Sequence, residues 1–359
     1  MHGNFSTSGA RSDNGGPVRT LVTGGSGYFG EIVVQRLRAR GDRVCVLDIV
    51  DNDDRPSDVE IVQGDVRDRN LVRNAMRGVE VVHHNVAQVP LAKDREQFWS
   101  VNVEGTRIVL EEALASGVRK VILVSSSAIY GVPERNPVDL TTPPRPREAY
   151  GQAKLAGERV AEQLIARGLD VSIVRPRTIL GHGRLGIFQI LFEWVRSGRP
   201  VYLLGSGHNR YQFVHADDLA EVCLLAADRV GPGVYLAGTD RFGTMRELLE
   251  NLVKHAGTGS PVRSLPFRLT QVVMKVTSKL GLSPLGDYHS LMYGRDMYFD
   301  IASTEAALSF TPKVSNDEML AESYDWYLAN REAVLARRGA SHHRSAVRLG
   351  VLKLLEKLP

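Results

Sequence analysis

The chain has almost no cysteine: Cys45 and Cys223 are the only two in 359 residues, and they lie far apart. So few thiols exclude a disulfide framework and point to a reducing compartment, with the cytoplasm expected. Long apolar runs are missing too, and none approaches the roughly 18 residues that a bilayer-spanning helix needs. Neither sign of charge dominates, since 45 basic residues stand against 41 acidic ones for a net charge of +4. The body of the chain carries no long basic run, so nucleic acid is not an expected partner, and no metal is expected. Residues 1–17 are polar, rich in Gly and Ser, and lack the apolar centre of a secretory signal, so they read as a disordered leader. The rest, in a chain 43% hydrophobic and 24% charged, is ordinary globular sequence, long enough for one large or two linked domains.

Against that background one stretch stands out. Val18-Arg-Thr-Leu-Val-Thr23 is an apolar strand pattern, and Gly24-Gly-Ser-Gly27-Tyr28-Phe29-Gly30 follows it. Helical periodicity then runs over Glu31–Arg40. Strand, glycine turn and helix in that order are the setting in which such glycines bind a dinucleotide. Gly24 permits the tight turn, Gly27 lets the backbone approach a pyrophosphate, and Gly30 lets the helix pack close to the strand. Tyr28 and Phe29 open the helix, whose N-terminal N–H groups and dipole favour the phosphates. Arg43–Asp48 reads as the second strand, ending in an acid about 20 residues beyond the glycines. There Asp48 would hold both hydroxyls of an adenosine ribose and repel a 2′-phosphate, which favours NAD over NADP. A solvated strand-end acid is the alternative, since Asp51, Asp53 and Asp54 crowd the same loop.

Val59–Gln63 is a third strand, followed by Gly64-Asp65-Val66. Asp65 would accept from an adenine amino group with Val66 against the ring, or it would cap a helix beginning near Arg67. A fourth strand, Glu80–His84, leads into Asn85-Val-Ala87-Gln88, where small residues let the backbone pass close to a cofactor. A helix is expected over Arg95–Ser116 with Asn102 inside it, which hints at a buried hydrogen-bonding role for that side chain. Lys120–Val124 is a fifth, buried strand. The regular alternation predicts an α/β fold built on a doubly wound parallel sheet.

Ser125-Ser126-Ser127 follows the fifth strand at its carboxyl end, where such sheets place ligands. After a proline-rich loop, Tyr150 and Lys154 open a helix that runs to about Arg167, one turn apart on one face. A free phenol titrates near 10. A lysine ammonium beside it would lower that value and let the tyrosine act as general base on a substrate hydroxyl. Ser126 would hold the same hydroxyl. An exposed Tyr–Lys pair is the plain alternative, and the glycine turn, Asp48 and the serines, all in order, argue against it.

These residues resemble the extended short-chain dehydrogenase/reductases of the NAD-dependent epimerase/dehydratase type. The resemblance rests on Thr23–Gly30, Gly64-Asp65-Val66, Asn102–Thr106, Ser125–Gly131, Tyr150–Lys154, Arg175-Pro176 and Phe213–Ala220, and spans roughly residues 18–335. It implies a Rossmann sheet with a smaller C-terminal substrate-binding lobe. It further implies Tyr150 as base, Lys154 as its modulator and ribose ligand, and Ser126 as partner of the hydroxyl. Gly24, Gly27, Tyr28, Phe29, Gly30, Asp48, Asp65, Val66, Ala87, Asn102 and Arg175 complete the expected NAD site. Helices near 94–116 and 146–167 would form the four-helix seam of a homodimer, by family analogy.

Departures narrow the chemistry. The acid pair of sugar-nucleotide 4,6-dehydratases is replaced by Ser127 and Ala128, which argues against dehydration. An Arg that many sugar-nucleotide epimerases carry four residues before His215 is here Tyr211, with Arg210 one place earlier. A shift of one residue on a strand turns a side chain to the other face, unless a bulge corrects it.

The first expected function is an epimerase on a nucleotide sugar that retains NAD. The second is a 3β-hydroxysteroid-type dehydrogenase of a hydrophobic alcohol that releases NADH. A non-catalytic NAD sensor would not need Ser126, Tyr150 and Lys154. Expected substrate contacts are Gln88, Ser127, His182, Arg184, Arg210, Tyr211 and Arg295, the basic ones meeting an anionic substrate or merely solvated. The expected division is a nucleotide-binding domain over 18–178, joined by 212–238, and a substrate lobe over most of 179–338. An apolar helix over Leu265–Gly281 resembles the steroid branch, packing against the lobe or a partner, or touching a membrane. The basic amphipathic tail at 339–359 reads as a docking helix, with membrane-surface contact disfavoured.

Overall fold

The computed structural model describes residues 16–336 apart from 53, 89–94, 185, 187, 269, 273–291 and 293. Most of the expected leader, most of the apolar helix expected over 265–281 and the tail at 339–359 lie outside the described residues. Among the described residues, no helix is long and apolar enough to cross a membrane.

Seven parallel strands form the central sheet: β1 (Arg19–Thr23), β2 (Arg43–Asp48), β3 (Glu60–Gln63), β4 (Val81–His84), β5 (Lys120–Val124), β6 (Val171–Pro176) and β10 (Gly233–Ala237), in the order β10-β6-β5-β4-β1-β2-β3. β5 and β6 are buried along their whole length. That is why they read as unbroken apolar runs rather than as alternating ones. Helices cover both faces. On one lie α2 (Arg69–Ala75), α4 (Thr106–Ala115) and α5 (Ala149–Ile165), with Val109, Leu110, Val160 and Leu164 in a shared core. On the other lie α1 (Tyr28–Arg40) and α7 (Ala216–Ala227), with Leu37 and Ala220 buried together. Each such leucine contributes about 1.5–3 kcal/mol by leaving water.

β7 (Thr178–Leu180) and β9 (Phe213–His215) pair in parallel beside the main sheet. A second hydrophobic cluster forms around α6 (Phe188–Arg196), β8 (Val201–Leu204), α8 (Met245–Ala256), β11 (Val262–Leu265) and α10 (Asn316–Ala336). α9 (Ala302–Leu308) packs back against β10. α10 is clamped to α6 through Glu193, which accepts from Arg331, Arg196 and Tyr327.

Two local expectations change. The helix expected over 95–116 is broken into α3 (Arg95–Trp99), a π-turn (Ser100–Gly105) and α4. The Thr106 hydroxyl donates to the Asn102 carbonyl at 2.9 Å, competing with the backbone for that acceptor. Asp65 does not cap α2. Asp68 does, accepting from the backbone N–H groups of Asn70 and Leu71.

Candidate active site

The carboxyl ends of β5, β4 and β1 lie side by side, and the strand order reverses between β1 and β4. That reversal opens the crevice in which doubly wound sheets bind ligands. The glycine turn forms its floor. Gly24 has φ +71°, and a Cβ on Gly30 would sit 1.9 Å from the Gly24 carbonyl oxygen. Gly30 therefore serves contact between helix and turn more than between helix and strand. α1 has Gly27 as its N-cap and no side-chain cap, so its first N–H groups face the turn. Asp48 accepts from Ser26 N at 3.1 Å and Val50 N at 3.2 Å, and burial pushes its pKa up against those bonds. Each carboxylate oxygen keeps lone-pair capacity for a ribose hydroxyl.

β4 ends in a directed chain of buried hydrogen bonds. Thr23 Oγ1 lies 2.7 Å from His84 Nδ1, and His84 Nε2 lies 3.0 Å from Thr106 Oγ1. Because Thr106 donates onward to Asn102 O, it accepts from His84, which fixes the proton on Nε2. Burial and the charge of Lys154 pull His84 down to about 3, so it is neutral. Asn102 meanwhile takes both backbone groups of Gln88, at 2.9 and 3.1 Å. Its predicted buried role is thus to hold the Ala87–Gln88 strand-end loop. The Asn85 amide and the Ser125 hydroxyl, also at the crevice, are buried with no partner among the described residues.

On the opposite wall Glu148 caps α5, accepting from Tyr150 N at 2.8 Å and Gly151 N at 2.7 Å. Tyr150 is buried with the edge of Phe98 packed near it, at 6.1 Å between centroids, and it is hydrogen-bonded to Ser126. Burial pushes its phenol up to about 12, against the Ser126 bond and the charge of Arg184. The lowering expected from Lys154 does not set this value. Lys154 is buried, donates from Nζ to Val124 O at 2.8 Å, and is pulled by burial to about 8. Arg184 reaches the same place, 5.3 Å from the Tyr28 ring, with burial lowering it to about 10.

Other expected residues are placed differently. Asp65 is held by Arg67 at 2.9 and 2.5 Å, which keeps its pKa low, while Val66 is buried against Gly105. Arg175 gives its Nε and Nη2 to Glu158 and its Nη1 to Tyr130, so it braces α5 against β6 rather than reaching a cofactor. His182 bonds Glu322, with 3.0 Å between its Nδ1 and the carboxylate. Arg210 is exposed over Phe242 and Tyr298, whereas Tyr211 is buried with its hydroxyl 3.1 Å from Thr178. Arg295 lies over Phe267. Ser127 is buried and accepts from Arg177.

The dinucleotide crevice fits NAD through its glycine cradle, its strand-end acid and its buried polar groups without partners. The profile of the NAD-dependent epimerase/dehydratase family matches residues 20–238. The chain belongs to that family. This epimerase/dehydratase relative is 50% identical over 336 residues to the uncharacterized protein y4nG of Sinorhizobium fredii, covering 93% of this chain and 85% of that one. It is 30% identical to sterol demethylase protein B of Methylococcus capsulatus, covering 76% of this chain and 87% of that protein. Among solved structures, the Thermus thermophilus UDP-glucose 4-epimerase in complex with NAD superposes with a TM-score of 0.71 at 29% identity, covering 87% of this chain and 99% of that one. The cofactor is NAD. Held by the glycine turn, Asp48 and Lys154, it would supply a hydride acceptor and a cationic ring beside the Tyr150 phenol.

Arg177, Glu158, Phe98 and His84 escaped the sequence reading. A signal for the first existed: two arginines spaced by two, Arg175 near the end of a buried strand and Arg177 just beyond it.

Proposed function

We propose that this enzyme oxidises a secondary alcohol on an apolar substrate to a ketone and releases NADH. Ser126 orients the substrate hydroxyl and Tyr150 removes its proton. Lys154, one turn further along α5, places positive charge in the same pocket. The observation that carries the choice of substrate is the side-chain facing at 210 and 211. Tyr211 points inward beside Phe299 and Phe213, and Arg210 stands outside in solvent. An inward arginine, which would meet a diphosphate, is replaced by an aromatic ring. The sterol demethylase name of the Methylococcus relative supports an apolar alcohol.

A second reading, a nucleotide-sugar epimerase that keeps its NADH, draws support from the UDP-glucose 4-epimerase with which the chain superposes. The two readings part on the fate of the nucleotide. Incubation with NAD and a panel of 3-hydroxysteroids should give NADH in bulk solution, read at 340 nm. Tightly bound nucleotide near one per chain, with a nucleotide sugar interconverted and no free NADH, would favour the epimerase. Tyr150→Phe should lower turnover by about 10²–10⁴ and leave NAD binding unchanged.

A further inference from the structure

The Nε and Nη2 of a guanidinium form the two-pronged edge that matches a carboxylate, and in several arginines of this chain that edge is filled within the protein. Arg38 meets Asp58, Arg40 meets Asp42, Arg175 meets Glu158 and Arg331 meets Glu193, with Nε and Nη2 each bonded to an oxygen of the acid at 2.6–3.1 Å. Arg177 differs from these. It is 1% exposed, and its Nη1 donates to Ser127 at 2.8 Å. Its Nε and Nη2 are buried with no partner among the described residues. A buried cation without a counter-charge is strongly unfavourable unless something else supplies one.

Its surroundings say where that partner would come from. Ser127 directly follows Ser126, the hydroxyl-orienting residue. The Arg177 guanidinium carbon lies 4.7 Å from the centre of the Tyr211 ring and 5.6 Å from that of Phe299, the aromatic side of the lobe. We propose that Arg177 is a specificity residue that receives a carboxylate of the substrate through its Nε–Nη2 edge. The substrate class is then an apolar hydroxy acid, with the alcohol at Ser126 and Tyr150 and the acid at Arg177. A carboxylate suits the site better than a phosphate. Its two oxygens match the two parallel N–H groups. Among the described residues, no second Arg or Lys shares Ser127, Tyr211 or Phe299 with Arg177, so a single negative charge balances the site. The role of this ligand as substrate rests on the alcohol-oxidising reading above; the anion site itself does not.

The test uses the full chain with NAD and sodium acetate as the probe, exchanged for chloride at fixed pH and ionic strength. Acetate should raise the melting temperature of the wild type saturably and leave Arg177→Met flat. Arg177→Lys, which keeps the charge and loses the fork, should need at least fivefold more acetate for half the effect. An equal response in wild type and Arg177→Met, or no response in wild type, overturns the assignment. If Arg177→Met fails to fold, a lysine response equal to the wild type does the same. A larger shift with inorganic phosphate than with acetate overturns the choice of carboxylate. Tyr150→Phe should keep the acetate response. Absence of turnover on every alcohol, with that response intact, refutes the dehydrogenase reading and leaves Arg177 assigned. Where an acid is turned over, its methyl ester should be at least tenfold poorer in kcat/KM, and Arg177→Met should bring the ratio near one.

Discussion

If Tyr150 is the base, as proposed, it is a poor one that must be helped. Burial holds its phenol near 12, and the Ser126 hydrogen bond is the first influence drawing it down. The rate of alcohol oxidation, kcat/KM, should therefore climb with pH through the neutral range. Ser126→Ala should move that limb to higher pH and cost tenfold or more at pH 8, read from initial rates across buffers. The same group leaves a mark on stability. Its folded pKa lies above that of a free phenol, near 10, so folding stability falls as pH rises between about 10 and 12. Tyr150→Phe should flatten that decline in denaturant titrations, and an unchanged slope would contradict the burial account. At this scale the sequence was legible where one residue type has one use. The spacing of Tyr150 and Lys154 and the three glycines announced themselves. Arg175 and Asp65 did not, because an arginine or aspartate advertises its charge and not its partner, and both partners, Glu158 and Arg67, are revealed only by folding.

Elements show a different balance. The strands β1, β4 and β5 could be read closely from their apolar runs, since burial of nearly every residue leaves little else they could be. The break at Ser100–Gly105 could not, because its cause is a side chain, Thr106, competing for a carbonyl within an otherwise helical pattern. α5 is set against the Ser126 turn by a tight approach: a Cβ on Gly151 would lie 2.5 Å from the Ala128 carbonyl oxygen, which is backbone and cannot yield cheaply. Gly151→Ala should cost about 1–3 kcal/mol of stability and lower kcat more than it raises KM, because Tyr150 rides on the displaced turn. Steady-state kinetics beside a urea titration would separate the two effects. α10 depends on Glu193. Burial would raise that carboxyl, but hydrogen bonds from Arg331, Arg196 and Tyr327 outweigh it and hold the pKa at about 2. Its contribution is thus complete above about pH 4.5 and is lost as pH falls towards 2. Arg331→Met should lower stability at pH 7, where that contribution is complete, and the difference from the wild type should shrink as pH falls towards 2, read from urea unfolding at each pH.

For the whole molecule, the nucleotide is expected to act as a brace. A ligand that binds only the folded chain stabilises it by about 2.7 kcal/mol at a hundredfold excess over its Kd. Adding NAD should raise the melting temperature accordingly. Gly30→Val, whose side chain would collide with the Gly24 carbonyl, should abolish that rise. The doubly wound sheet was foreseeable from alternating strands and helices. The assignment of the later segments was harder, because short strands such as β7 and β9 carry too few residues to show a period. One arrangement in that later part bears on how the protein comes into being. The edge strand β10 pairs with β6, yet α6, β8 and β9 are made between them. A growing chain that has emerged only as far as residue 178 therefore presents β6 with an open, sticky margin. The central sheet can seal itself only once the chain has been made as far as residue 237, so the sheet and the segments threaded between β6 and β10 are born interlocked rather than one after the other.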